Sequence, residues 1–140
     1  MRFMIIRKAD ADTEAGVMPS AELLNTMSAY NERLVEAGVM LAGEGLQPSS
    51  KGARVVIGAE EPTVTDGPFA EAEELVAGFT MIQVDSLAEA IEWVKQWPKE
   101  DGPVELEIRQ VFEVDDFGDE FKPDMRAAEE RMREQIKNTN

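Results

Sequence analysis

Apolar and polar residues recur along this chain with two periods, and the two periods predict strands and helices respectively. Five segments have the short apolar runs or the period of two expected of β-strands: Arg2–Arg7, Val39–Ala42, Arg54–Ile57, Leu75–Val84 and Val104–Phe112. The last has the clearest pattern. Its apolar Val104, Leu106, Ile108 and Phe112 fall on one face, and its charged Glu105, Glu107, Arg109 and Glu113 fall on the other.

Apolar residues at helical spacing predict three helices. The first begins after the capping residue Ser20 and ends at Gly38, and the second begins after Ser86 and stops at Pro98. Ser86 and Glu89 have the spacing of a capping box. The third helix starts at Pro123, after an acidic loop, and its narrow apolar stripe consists of Met125, Ala128, Met132 and Ile136.

The order of these elements predicts an α+β protein with a ferredoxin-like split βαβ arrangement and an extra hairpin arm. We expect a domain over residues 1–114, with residues 115–140 appended to it as an acidic loop and an additional C-terminal helix. The turn Glu60-Glu61-Pro62 leads back through Val64, so the arm is expected to carry Asp66 at its tip.

The predicted sheet has helices on one face, and its other face needs a cover. Side chains alternate along a strand, so Met4, Ile6 and Val56 cannot all face the helices. A second copy of the same sheet would cover them, and we therefore expect a symmetric homodimer.

The amino-acid composition limits the kinds of chemistry that the protein can perform. The 140 residues include no cysteine and no histidine, which removes disulfides, Cys-ligated zinc, iron–sulfur clusters and the usual proton shuttle. No cofactor and no metal centre are expected, and catalysis would fall to carboxylates, Arg, Lys, Tyr or backbone amides. The formal charge of −15 disfavours nucleic acid and anionic membranes as partners. This negative charge either serves solubility or fits a basic protein partner or a cationic ligand.

No apolar run approaches the ~20 residues of a membrane span, and the N-terminus lacks the pattern of a secretory signal. A cytoplasmic location is expected.

The segment Thr65-Asp66-Gly67-Pro68-Phe69-Ala70-Glu71, followed by Gly78-Phe79, is the first candidate site. It has two interpretations. In the first, Asp66-Gly67 forms a turn and Phe69 packs into the core. In a pocket, Asp66 would instead accept hydrogen bonds or act as a base, Gly67 would leave its amide accessible, and Phe69 would form an apolar wall.

Three further residues are candidates for the same pocket. Glu44, between Gly43 and Gly45, either marks a strand bulge with a solvated carboxylate or joins Asp66 in a catalytic pair, where repulsion would raise one pKa. Arg109 either forms a surface ion pair or binds a carboxylate of the site or of a substrate. Tyr30, on the apolar stripe of the first helix, is a core residue whose hydroxyl would reach the pocket rim as a ligand contact.

Several of these segments resemble one family. They are Met1-Arg2-Phe3-Met4, Glu36-Ala37-Gly38-Val39, Gly43-Glu44-Gly45-Leu46-Gln47-Pro48, the motif around Asp66, Gly78-Phe79 and Glu107-Ile108-Arg109. In order and spacing, over about residues 1 to 111, the chain resembles the bacterial YCII-related family, specifically its DGPF branch. The resemblance implies a dimeric α/β barrel with a pocket on each protomer. Simpler members carry a His–Asp pair proposed to be catalytic, and this chain, without histidine, departs from that pattern.

Two functions are consistent with these features. In the first, the protein binds or converts a small molecule beside Asp66, Glu44, Phe69 and Arg109. In the second, it is a non-catalytic accessory protein. The resemblance suggests an extracytoplasmic-function sigma factor as the partner in that case, since some family members are encoded beside one.

Overall fold

The structure is a computed structural model that describes residues 1–139, and the chain divides into two compact units, Met1–Gln110 and Val111–Asn140. The strands are β1 (Arg2–Lys8), β2 (Met40–Gly45), β3 (Ala53–Val56), β4 (Thr63–Asp66), β5 (Val76–Gln83) and β6 (Leu106–Gln110). The helices are α1 (Ala11–Glu14), α2 (Ala21–Glu36), α3 (Leu87–Val94) and α4 (Pro123–Thr139). Short 3₁₀ segments lie at Ser49–Lys51, Ala72–Glu74, Lys99–Asp101 and Val114–Glu120. Among residues 1–139, no helix has both the length and the apolar character that a membrane span requires.

The first unit is built on a four-stranded antiparallel sheet with the strand order β2-β5-β1-β6. Strands β3 and β4 form a separate two-stranded hairpin, the arm. The structure confirms the predicted α+β class and the predicted hairpin arm, which lies between β2 and β5 along the chain. The order β1, α2, β2, β5, α3, β6 along the chain, with β1 and β5 central in the sheet, matches the split βαβ arrangement.

The core lies on one face of this sheet, because alternate residues of β1 and β5 point to it. Phe3 and Ile5 are buried, while Met4 and Ile6, which alternate with them along β1, are half-buried on the opposite face. The buried cluster consists of Phe3, Ile5, Ile82, Val84 and Ala90. Fully burying each large apolar side chain stabilises the fold by about 1.5–3 kcal/mol.

Helix α2 is bounded by the residues that the sequence predicts. The Ser20 side chain accepts a hydrogen bond from the Leu23 amide at 3.1 Å, and Gly38 ends the helix region with a φ of 73°. Tyr30 connects α2 to α3, since its hydroxyl donates to the Trp93 carbonyl at 2.8 Å. Its ring also meets Trp97 edge-on, with 5.5 Å between centroids.

A polar network ties the end of β1 to the segment after α3. The Arg7 guanidinium donates to both oxygens of the Asp101 carboxylate, at 2.8 and 3.1 Å, and both side chains are largely buried. The Trp97 indole donates to the same carboxylate at 2.9 Å. Because the donors satisfy the carboxylate, the ion pair is tolerated next to the core.

Several local predictions differ from the structure in detail. Helix α3 ends at Val94, before Pro98, and the Glu89 carboxylate accepts from the Asp85 amide at 3.0 Å, not from the Ser86 amide. Strand β6 is shorter than predicted, so Phe112 lies beyond its end and is 69% exposed. The predicted polar loop after β1 contains α1, which Asp10 caps by accepting from the Thr13 amide at 2.8 Å.

The second unit contains a row of aromatic rings and α4. Phe117 stacks between Phe112 and Phe121, at centroid distances of 5.2 and 5.7 Å. The predicted acidic loop is a 3₁₀ segment over Val114–Glu120. Helix α4 begins at Pro123 as predicted, and its apolar Met125, Met132 and Ile136 are exposed.

The location of the core predicts how the free energy of unfolding changes in two alanine variants. Ile82→Ala removes a fully buried side chain and should lower the free energy of unfolding by about 2–5 kcal/mol. Leu24→Ala on α2, where Leu24 is 57% exposed, should change it by less than about 1 kcal/mol. Urea denaturation of both variants measures the difference, and equal losses would contradict this assignment of the core.

Candidate functional site

Asp66 lies at the base of the arm and not at its tip. It is the last residue of β4 and pairs with Ala53, the first residue of β3, while the turn of the arm comprises residues 57–62. Its carboxylate is exposed and makes no side-chain hydrogen bond or ion pair within residues 1–139. The sequence prediction that the hairpin presents this acid at its end is therefore wrong.

The turn after Asp66 packs against the backbone around Ser49. The Gly67 amide donates to the Gly52 carbonyl at 2.9 Å, and the Phe69 amide donates to the Ser49 hydroxyl at 2.9 Å. A Cβ atom at position 67 would lie 1.7 Å from the Ser49 carbonyl oxygen, so only glycine fits. The expected accessible Gly67 amide is already occupied, which corrects the predicted role of this residue.

Glu14 completes this arrangement, although no sequence pattern singles it out. Its carboxylate accepts from the Ser49 amide at 2.9 Å and from the Ser49 hydroxyl at 2.5 Å. The Ser49 hydroxyl and amide lower the pKa of Glu14 below its ordinary value. The Glu14 carboxylate, the Ser49 side chain and the Phe69 amide are thus linked by hydrogen bonds. We call this linkage the turn clamp, because it joins three segments that are distant in sequence.

Phe69 is half-buried, and a cation covers its ring. The Arg54 guanidinium lies 3.9 Å from the ring centroid, a cation–π contact that contributes about 0.5–1 kcal/mol at an exposed site. The ring is therefore not an uncovered apolar wall. The described residues around Asp66 thus form a turn that is held by hydrogen bonds to Gly52 and Ser49 and by the contact with Arg54.

The other face of the main sheet has a different character. We call it the open face, and two cross-strand rows define it. Each row crosses the strands in the order β2, β5, β1, β6. The first row is Glu44, Phe79, Ile6 and Glu107, and the second is Ala42, Met81, Met4 and Arg109. The four large apolar residues of the two rows are half-buried, and charged residues stand at both edges.

Glu44 and Arg109 share this face but lie at its opposite edges. Two strands separate them, which corresponds to about 14 Å at a strand spacing of about 4.8 Å. Asp66 belongs to the other sheet. Within one protomer, then, the structure does not bring Asp66, Glu44 and Arg109 together, and the expected convergence of these three residues is wrong.

Local contacts explain the positions of these two charges. Arg109 donates to the Glu107 carboxylate at 3.2 Å, so an exposed ion pair forms along β6. The register irregularity of β2 lies between Met40 and Ala42, before the glycines that flank Glu44. Gly78 allows the close approach of β2, because a Cβ there would lie 3.0 Å from the Glu44 carbonyl oxygen.

Tyr30 is absent from the open face. It is 0% exposed, its hydroxyl is bonded to the Trp93 carbonyl, and burial raises its pKa to about 12. The predicted contact with a ligand is thus incompatible with its position in the core. The core interpretation of its ring is correct.

Residues 1–139 contain no group of three or more carboxylates close enough to hold a metal ion. What the open face offers is an apolar floor with carboxylate acceptors at both edges and a guanidinium at one.

These features describe an antiparallel α+β domain whose sheet has helices on one face. The family model of the YCII-related domain matches residues 1–115, and the chain belongs to this family.

Individual proteins with similarity to the chain include one sequence relative and one solved structure. The uncharacterized protein R00369 of Rhizobium meliloti (strain 1021) is 36% identical over 73 residues, which are 52% of this chain and 59% of that protein. The match therefore spans less than two thirds of that relative's length. Among solved structures, 5-chloro-2-hydroxyhydroquinone dehydrochlorinase (TftG) from Burkholderia phenoliruptrix AC1100, in complex with 2,5-dihydroxybenzoquinone, is 16% identical with a TM-score of 0.45. The alignment covers 80% of this chain and 94% of that one. So distant a likeness carries no information about a reaction or a ligand.

The packing of Gly67 predicts a position-specific glycine requirement. Gly67→Ala should lower the free energy of unfolding by about 1–3 kcal/mol or more, because the new methyl group meets the Ser49 backbone. Gly58→Ala is the matched control, since a Cβ at position 58 meets nothing within 4 Å. Thermal and urea unfolding compare the two, and similar stabilities would contradict the close approach of residues 67 and 49.

The turn clamp predicts a pH dependence in the acid range. The folded pKa of Glu14 lies below its ordinary value of 4.5, so the stability contributed by the clamp is fully present above that value. It is lost as the pH falls through the folded pKa. Ser49→Ala should raise the pKa of Glu14 toward its ordinary value, while Ser50→Ala should not. NMR titration of the Glu14 carboxylate measures this, and an unchanged pKa in Ser49→Ala would refute the clamp.

Proposed function

We propose that this protein is a DGPF-branch member of the YCII-related family that acts as a homodimer and binds a small organic molecule on the open face. The observation that carries the proposal is the pair of cross-strand rows on this face, with four large apolar side chains between charged edges. The assignment to the DGPF branch is supported by the segment Asp66-Gly67-Pro68-Phe69.

The composition of the open face supports a covering layer. Met4, Ile6, Phe79 and Met81 form a contiguous apolar patch, and antiparallel sheets that face water on one side usually present polar residues there. A second copy of the same face offers an equal patch, and two sheets packed face to face lie about 10 Å apart. This dimer is the α/β barrel that the family resemblance implies.

In the proposed dimer the ligand would lie at the β2 edge of the covered face, where the first row ends at Glu44. Phe79 and Ile6 would contact the apolar body of the ligand, and the exposed Glu44 carboxylate would accept a hydrogen bond from a hydroxyl or amine group. Glu44 is also the group that would serve as a general base if the ligand is converted. Asp66, at the base of the arm, is assigned no part in this chemistry.

A second candidate function is a non-catalytic role with a protein partner, such as the sigma factor that the resemblance suggests. The exposed apolar stripe of α4, formed by Met125, Met132 and Ile136, supports it. Methionine-rich stripes adapt to varied partner surfaces. In this function the open face would have no ligand to bind.

The neutral fluorescent dye Nile red tests ligand binding. The wild-type protein should be a dimer at micromolar concentration in light scattering and should bind the dye, and Phe79→Ser should weaken dye binding tenfold or more. The control Leu24→Ser removes an exposed apolar side chain from α2 and should leave binding unchanged. A wild-type monomer, or dye binding that Phe79→Ser does not alter, would overturn the proposal.

A further inference from the structure

The two cross-strand rows of the open face end differently at its two edges. On edge strand β6 the first row ends at Glu107 and the second at Arg109, whose side chains form an ion pair at 3.2 Å. On edge strand β2 the first row ends at Glu44 and the second at the small residue Ala42. One edge therefore carries charges of both signs, and the other carries negative charge only.

Two symmetric arrangements can bring two open faces together in a dimer. With the two-fold axis along the strands, each row lies over its own copy, and β2 lies over β6 of the partner subunit. With the axis across the strands, between the two rows, each strand lies over its own copy, and the first row lies over the second. Both arrangements cover the same four apolar side chains, so burial of apolar area does not choose between them.

The axis along the strands brings like charges together. It places Glu44 opposite Glu107 of the partner subunit at both ends of the first row, while Arg109 lies opposite Ala42 of the partner subunit. Like charges that meet in a partly desolvated interface are destabilising. Each protomer has a formal charge of −15, so two further contacts between carboxylates are unfavourable.

The axis across the strands gives the opposite result at the β6 edge. Arg109 then lies opposite Glu107 of the partner subunit, and the two-fold axis repeats this contact in the other direction. The four side chains form a square of alternating charge. Association adds two attractive contacts across the interface, which are shorter than the two repulsive diagonals and therefore outweigh them.

The side chains have the reach that this square needs. Packed sheets are about 10 Å apart, and Arg and Glu are long side chains that extend toward each other from the two surfaces. The Arg109 side chain is 71% exposed and uses one of its nitrogens for Glu107 of its own strand. A guanidinium has five N–H donors, so Arg109 can hold a second carboxylate at the same time.

The same axis leaves the β2 edge without a charge pair. Glu44 lies opposite Ala42 of the partner subunit, whose small side chain leaves space between the sheets. The two copies of Glu44 are then about 12 Å apart at their α-carbons, from the sheet spacing of about 10 Å and an offset of two residues along the strand. A cationic group between them can donate hydrogen bonds to both carboxylates.

We propose that the two-fold axis of the dimer runs across the strands, so that Arg109 pairs with Glu107 of the partner subunit at one edge and the Glu44 carboxylates of both protomers border one ligand site at the other. This inference rests on the dimer and the ligand binding proposed above. It adds the axis, the residues that the partner supplies and the class of ligand. Two carboxylates beside Phe79 and Met81 favour an organic cation with an apolar body over a neutral or anionic molecule.

Charge reversal tests the pairing at the β6 edge. Glu107→Arg and Arg109→Glu, each alone, should raise the dimer dissociation constant at least tenfold, because each places like charges opposite one another. The double variant should return it to within about threefold of wild type. An equimolar mixture of the two single variants should form heterodimers, since opposite charges then face each other at both contacts. Sedimentation velocity measures all four, and circular dichroism checks that each variant is folded.

The sign of one effect distinguishes the two axes. With the axis along the strands, Glu107→Arg would place a cation opposite Glu44 of the partner subunit and lower the dissociation constant. Two controls remove the effect of net charge: Glu32→Arg on α2 matches Glu107→Arg, and Lys95→Glu, with a side chain 66% exposed, matches Arg109→Glu. Each control should change the dissociation constant by less than about threefold.

A cationic dye tests the ligand class at the β2 edge. Glu44→Gln should weaken binding of thioflavin T, which is cationic, at least fivefold, and should change binding of the neutral Nile red by less than about twofold. Glu32→Gln, on an exposed residue of α2, should leave the binding of both dyes unchanged. Fluorescence titration of the dimer measures both. Thioflavin T binding that Glu44→Gln does not weaken would overturn the carboxylate site.

The outcomes separate this inference from the proposed function. A wild-type protein that is monomeric at micromolar concentration would overturn both. A wild-type dimer that Glu107→Arg strengthens, or that neither reversal weakens, would overturn the axis across the strands and leave the dimer and its binding of Nile red in place. Single variants that are weakened but are not restored by combination or by mixing would also overturn the pairing.

Discussion

The antiparallel register between β1 and β5 is the constraint on which the rest of the structure depends. It pairs Phe3 with Ile82 and Ile5 with Thr80 on the face that the helices cover. The same register pairs Met4 with Met81 and Ile6 with Phe79 on the opposite face. A shift of one residue would exchange the two faces, bring methionines under α2 and α3, and expose the aromatic core. The register that builds the core therefore also determines which residues of β1 and β5 lie on the open face.

Much of this fold could be predicted from the chain alone, because its signals are local. Alternation in β1 and β6, the cap at Ser20 and the left-handed Gly38 need only neighbouring residues. The errors arose where a distant partner decides. Strand β6 ends near Gln110 because that residue pairs with Phe3, almost at the start of β1, so no strand remains to hold Phe112 in the sheet. The missed helix α1 is a different case, because its reciprocal Asp10 and Thr13 cap is local but is a short and common pattern.

The candidate site was less predictable, for two physical reasons. A hairpin carries its last residue back to its base, so a turn over residues 57–62 places Asp66 in the fourth pair from the end of the arm. The turn clamp, by contrast, joins Glu14 to Ser49 across 35 positions, and no local pattern reveals such a contact. Glu44 is a candidate because glycines flank it, and Arg109 because it lies among glutamates on the polar face of an otherwise apolar strand. Their separation depends on the strand order, which the pattern of either strand does not contain.

The Asp-Gly-Pro-Phe segment shows how a motif can identify a family without supplying its chemistry. Gly67 is required because the Ser49 backbone occupies the space of a side chain, and the Phe69 amide and ring are occupied by Ser49 and Arg54. These contacts hold the chain where it leaves the arm and returns toward β5. Strand β5 in turn supplies Phe79 and Met81 to the open face and determines how closely β2 can approach through Gly78. The motif therefore holds the backbone between the arm and β5, upstream of the strand that contributes to the open face.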